Sequence, residues 1–327
     1  MDKFTPIEKG ILAALAYFDV FNYPLTKEEI VRWFYTSSPI EGLTKDQIID
    51  TLTKSQELFN HIKKHDDWYV LRNRQQIIDL RKQRQKIACK KWRIAKFAAR
   101  LLRVVPFMRM VAVCNTLAYN NAREDSDIDF FIIGRSHRLW TMRFFTTLLL
   151  DFARIRRKGS SVKDKICLSF YVTRDAINLK SLSLQPHDPH FVFWMDQFVI
   201  LLDQKDFAQY QKENAWIKEY LPFAFPEVSK PLVNRSSVTS AIKGFGEWIL
   251  AGGFGDWIEK ITQKLQKNRM DNNVHSHAWE KNTKVIISDN VLKFHEQDRR
   301  EEYRRRFEER LWEVISRKSI PDNVKNE

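Results

Sequence analysis

Between Ser126 and Ile133 the chain reads Ser-Asp-Ile-Asp-Phe-Phe-Ile-Ile. Two carboxylates flank Ile128 and then give way to four consecutive apolar residues, Phe130 to Ile133. Such a run, aromatic and β-branched, predicts a buried strand over 127–133. Side chains alternate across a strand, so Asp127 and Asp129 project from one face and Ile128 and Phe130 from the other. Two carboxylates this close repel each other, and a shared divalent cation relieves the repulsion. Hard oxygen ligands suit Mg²⁺, which also binds the phosphates of a substrate. Alone, an Asp-x-Asp pair serves equally well as solvated charge or half of a salt bridge.

The neighbouring sequence gives the pair its weight. Residues 109–114 read as a short buried strand followed by a polar loop that begins at Asn115 and Thr116. Ten residues separate Thr116 from Asp127. Residues 139–155 read as an apolar helix and Ile166 to Thr173 as a third strand. The segment is similar to the signature of the nucleotidyltransferase (polymerase β-like) superfamily: a small Gly-Ser pair, about ten residues, then Asp-x-Asp before a buried strand. The resemblance implies an α/β core with a small mixed sheet and a nucleoside triphosphate as substrate. It makes Asp127 and Asp129 the catalytic, metal-holding pair, with Mg²⁺ as cofactor, and places Asn115, Thr116 and Ser126 at the nucleotide.

Two positions depart from the family pattern. Asn115 stands where glycine is usual, although Asn tolerates the left-handed backbone better than most residues. The third strand, Ile166-Cys167-Leu168-Ser169-Phe170, lacks the carboxylate the family carries there. Asp164 and Asp175 flank that strand, and Glu124 and Asp125 precede the pair. Two readings follow. One is a Mg²⁺-dependent transferase that moves a nucleoside monophosphate from a triphosphate to an acceptor. The other is a catalytically degenerate binding or regulatory protein.

The flanking regions predict an α+β, mostly helical chain; Gly (9) and Pro (10) are too scarce for a turn-rich all-β protein. Residues 1–73 read as three helices and a hairpin, the layout of a winged helix. Thr26 with Glu29 and Thr44 with Gln47 form capping-box signatures for the second and third helices. The third helix carries Asp46 and Asp50 against Lys45 and Lys54, unlike a helix that reads duplex DNA. Residues 74–105 form a connecting helix with ten Lys or Arg and no acid from Arg81 to Arg103. With a net charge of +14, this points to a polyanionic partner, nucleic acid among them. The nucleotidyltransferase-like core is expected over 106–180 and a helical C-terminal region over 181–327, with 191–202 and 291–317 as helices. That order of parts resembles a bacterial group of nucleotidyltransferase-like proteins with an N-terminal winged helix. Three scattered cysteines and the absence of a signal-like N-terminus predict a cytoplasmic protein. No apolar run reaches the roughly 20 residues that span a bilayer.

Overall fold

In the computed structural model the described residues are 3–226, 230–234, 236–271, 285–294 and 298–316. Helix α1 (Pro6–Asp19) starts at a capping box between Thr5 and Glu8, with Pro6 in the first turn where its missing N–H costs nothing. The boxes at Thr26 and Thr44 start α2 (Lys27–Arg32) and α3 (Lys45–Lys54). A short α4 (Gln56–Phe59) leads into the antiparallel pair β1 (Ile62–His65) and β2 (Trp68–Leu71). The long helix α5 (Ile77–Leu102) leaves this unit but is bolted to it by Arg81. The Arg81 guanidinium makes two bonds to the Glu29 carboxylate, 2.7 and 2.8 Å, and lies over the rings of Tyr23 and Trp68 at 3.9 and 4.0 Å.

The rest of the chain is built on a six-stranded mixed sheet. Its strands are β3 (Met108–Val113), β4 (Ile128–Gly134), β5 (Ile166–Thr173), β6 (Val199–Asp203), β7 (Val285–Ile287) and β8 (Val291–Phe294), in the order β6-β3-β4-β5-β8-β7. Only β4 and β5 run parallel, joined through α7 (Leu139–Phe152). The other helices are α6 (Asn115–Ala118), α8 (Pro189–Asp196), α9 (Asp206–Glu213), α10 (Ser237–Ile249), α11 (Gly252–Asp271) and α12 (Arg300–Ser316).

The sheet corrects the expectation that everything beyond 181 is helical. Residues 191–202 divide into α8 and the strand β6, which pairs with β3. Residues 291–294 form β8, which pairs with β5, and the helix expected from 291 starts at Arg300. A four- or five-residue apolar run fits a buried strand as well as a helical turn, so periodicity does not separate them. Here the open edges of β3 and β5 decide.

Strand alternation sorts the core into two layers. Met110, Ala112, Phe131, Ile133, Phe170 and Val172 face α1, α8, α9 and α12 in one aromatic-rich cluster. Val111, Val113, Phe130, Ile132 and Tyr171 face α5, α7, α10 and α11 in another. The first cluster runs without a break into the N-terminal helices: Tyr17 of α1 stacks on Phe193 of α8 with ring centroids 3.8 Å apart. The N-terminal unit and the sheet therefore share a core. Helix α12 is clamped onto it by the Arg300–Asp188 pair (2.9 Å) and by Arg310 against Asp19 (3.2 Å).

Candidate active site

Asp129 lies on β4 on the same face as Phe131 and Ile133, and Asp127 stands two residues earlier, just before the strand. The predicted shared face is thus the one covered by α1, α8 and α12. Beside it, β5 pairs in register with β4, with Asp129 opposite Cys167, and then bulges so that Phe170 sits opposite Phe131. A bulge re-aims the residues on either side of it. One ligand atom from each of Asp127, Asp129 and Cys167 lies within 4.8 Å of the other two. On β5 it is therefore a thiol that stands beside the two carboxylates. Two carboxylates and a sulfur form a donor set that fits a divalent cation. The carboxylates suit a hard ion such as Mg²⁺ and the sulfur suits a softer one.

The remaining candidate acids are committed elsewhere. Asp164 is held by Lys90 at 2.7 Å and Lys91 at 2.9 Å, and Glu124 by Lys163 at 2.6 Å. Asp125 pairs with Arg123 at 2.8 Å. Asp175 follows the far end of β5, since Cys167 lies near the strand's start and Thr173 ends it. Among the described residues, no third carboxylate joins the pair.

Burial and the neighbouring Asp127 charge push the Asp129 carboxyl up to about 7, against the pull of a hydrogen bond from Asn115. Arg157 places Nη1 2.6 Å from Asp127 Oδ2 and 3.8 Å from Cys167 Sγ. Desolvation raises the Cys167 thiol well above its ordinary range, so it stays protonated until a cation or base displaces the proton.

Asn115 has φ 57°, a left-handed conformation that Asn tolerates better than most residues. Its side-chain oxygen accepts a 2.8 Å bond from the Trp194 indole, which leaves its amide to donate to Asp129. Thr116 follows, and its carbonyl accepts from the backbone of Asn121 at 2.7 Å. The Ser126 hydroxyl closes the turn before Asp127 by donating to the Arg123 carbonyl at 2.9 Å. Ser126 thus shapes the loop with its side chain, whereas Asn115 and Thr116 line a cavity.

The basic helix builds this loop. Lys91 is fully buried and donates to Ser126 O at 2.6 Å, and Trp92 donates to Asn120 Oδ1 at 2.7 Å. Arg84 reaches Asn121 Oδ1 at 3.0 Å. Of the ten cations between 81 and 103, Arg81, Arg84, Lys90, Lys91 and Arg103 are engaged inside the fold. Lys82, Lys86, Arg93, Lys96 and Arg100 have no side-chain partner among the described residues.

The cavity against Asp129 has a volume of about 290 Å³. Its lining includes Tyr17 of α1, Phe21 just beyond that helix, Tyr119, Phe170, Trp194 and Tyr303 of α12, together with Asn115, Thr116 and Asp129. Lys293, Arg299 and Arg300 bring positive charge from β8 and the start of α12. Burial lowers the Lys293 ammonium to about 8, although Asp298 at 3.2 Å holds it. His190, also in the wall, meets the Tyr17 hydroxyl at 2.9 Å and is pushed down to about 4, chiefly by burial. A larger cavity of about 470 Å³ lies at the opposite end of β3, lined by Met108 and Arg109, and holds neither aspartate.

Sequence reasoning did not find Cys167, Tyr17 or Tyr303 as part of the site. A lone Cys on a strand carries no local signal; only the register with Asp129 does. No family model, curated protein or solved structure matches this chain.

Proposed function

We propose that the protein is a nucleotidyltransferase that binds a nucleoside triphosphate with Mg²⁺ at Asp127 and Asp129 and moves the nucleoside monophosphate to an acceptor. The observation that carries this reading is the 290 Å³ cavity that opens on Asp129, aromatic along its walls and lined by Lys293, Arg299 and Arg300 together with Asp298. An aromatic slot takes a base by stacking, and the cations offset a polyphosphate. In such a site Tyr17, Trp194 and Tyr303 would hold the base. The Thr116 hydroxyl and the left-handed turn at Asn115 would face the phosphates, with Lys293 and Arg299 balancing their charge. The ion held by Asp127 and Asp129 would neutralise charge on the reacting phosphate.

The α1 unit, with its winged-helix layout, has a positioning role in this account. It supplies Tyr17 and Phe21 to the wall, and its third helix remains charge-balanced. The stripe of exposed Lys82, Lys86, Arg93 and Arg100, with half-buried Lys96, favours a nucleic-acid end as acceptor.

A second reading is favoured by one specific contact. Arg157 already neutralises Asp127, and a thiol stands in the third ligand position. That arrangement suits a protein that binds a nucleotide without turning it over. Pyrophosphate release from each of the four ribonucleoside triphosphates with Mg²⁺, in wild type and Asp127→Asn, separates the readings. Release that disappears in the variant supports transfer, and binding without release selects the second reading. Equal release from both proteins rejects the assignment of Asp127.

A further inference from the structure

The layer on the other side of the sheet ends in an apolar face that no described residue covers. Helix α10 turns its polar groups inward: Lys243 donates to the Met108 carbonyl, and Glu247 accepts from the Phe107 amide at 2.8 Å. That orientation leaves Val238, Ile242, Phe245, Trp248 and Ile249 pointing out at helical spacing, with Val238 67% and Trp248 73% exposed. After Gly252, whose φ of 62° makes the turn, α11 continues the face with Phe254 and Trp257. Phe245 lies beside Trp248, and Phe254 beside Trp257, with ring centroids 6.0 and 5.9 Å apart. Single exposed apolar side chains need no explanation, but a contiguous patch of this kind marks a contact surface.

The charge around the patch identifies the contact. Glu247 is turned inward, Asp256 pairs with Arg138 at 2.7 Å, and Glu259 accepts from the amides of Trp140 and Thr141. Lys260, Lys264 and Arg269 are exposed on α11 and have no side-chain partner among the described residues. An apolar, Trp- and Phe-rich face rimmed by unpaired cations is the pattern of a helix lying in the plane of a membrane surface. A symmetric pairing of two copies would instead use the same patch twice and bring both cation rims to one interface. No helix among the described residues is long and apolar enough to cross a membrane, so the association is peripheral.

We propose that the α10–α11 face docks on an anionic phospholipid bilayer. Phe245, Trp248, Phe254 and Trp257 enter the interface, and Lys260, Lys264 and Arg269 meet the headgroup phosphates. The 290 Å³ cavity opens on the opposite face of the sheet, so docking leaves it accessible and the proposal stands apart from the nucleotide reading.

Flotation of the full chain with vesicles tests this. The two compositions are phosphatidylcholine alone and phosphatidylcholine with an equal part of phosphatidylglycerol. Wild type floats with the anionic vesicles and stays behind with the neutral ones. Phe245→Ser/Trp248→Ser loses roughly a hundredfold or more in partition, from the apolar area withdrawn. Lys260→Gln/Lys264→Gln loses roughly 25-fold, at about fivefold per cation. Both variants keep the wild-type melting temperature, and Asp127→Asn floats like wild type. Equal flotation on neutral vesicles, or full flotation of Phe245→Ser/Trp248→Ser, overturns the proposal. So does a wild type that never floats; if light scattering then finds a dimer that Phe245→Ser/Trp248→Ser splits, the face belongs to a second copy.

Discussion

Replacing Lys91 by Met should destabilise the protein far more than the same change five residues earlier in the same helix. The Lys91 ammonium is fully buried and sits 2.6 Å from Ser126 O, 2.9 Å from Asp164 Oδ1 and 3.3 Å from Glu124 O. Methionine keeps most of the volume and removes every one of these bonds. Breaking a buried ion pair costs about 3–5 kcal/mol because the partner is left uncompensated. Asp164 keeps Lys90 at 2.7 Å and is partly exposed, which brings the expected loss to the lower end, about 3 kcal/mol. Lys86 is exposed, without a side-chain partner among the described residues, so Lys86→Met should stay within about 0.5 kcal/mol of wild type. Urea unfolding of the three proteins, with slopes compared, measures both differences. A Lys91→Met loss under about 1 kcal/mol, or a similar loss in Lys86→Met, would refute the idea that the basic helix braces the aspartate loop.

Two further outcomes follow from the titrating groups. Asp129 rises from an ordinary 3.8 to about 7 in the fold, so its contribution to stability is intact at acid pH and lost as pH rises through about 7. Asp129→Asn, which stays neutral, should be more stable than wild type by up to about 4 kcal/mol near pH 8.5 and gain almost nothing near pH 4; a gain independent of pH counts against the desolvated, repelled carboxyl. His190 falls from 6.5 to about 4, so the neutral ring favours the fold at neutral pH and that support is lost as pH falls through about 4. Its ring proton shifts should stay flat from about pH 8 to about 5.5, whereas a midpoint near the ordinary value of about 6.5 would show that water reaches the ring.

Much of the N-terminal third and the Asp-x-Asp strand is legible in the sequence because local chemistry specifies them. Thr26 with Glu29 and Thr44 with Gln47 start the helices where their side chains cap the first turn. The apolar run after Asp129 becomes β4, and Asn115 takes the left-handed turn that its residue type allows. What is not legible is set by pairing between distant segments. Val199–Asp203 is apolar enough for either state and becomes a strand because β3 offers an open edge. Cys167 becomes a neighbour of the aspartates through one register and a bulge. Lys293 and Arg299 reach the cavity only because β8 joins β5 across more than a hundred residues of chain. The ten cations from Arg81 to Arg103 read as one surface, yet half of them are spent on holding the structure together, a division that only tertiary contacts make.

The central claim is that a nucleotide occupies the cavity over Asp129 together with a divalent cation. Calorimetric titration with each of the four ribonucleoside triphosphates, with and without Mg²⁺, in wild type, Asp127→Asn and Asp129→Asn, tests it most directly. The account predicts Mg²⁺-dependent binding in wild type that either substitution weakens by at least about tenfold, or 1.4 kcal/mol. Binding that ignores both Mg²⁺ and the two substitutions, or no binding of any triphosphate, would contradict it.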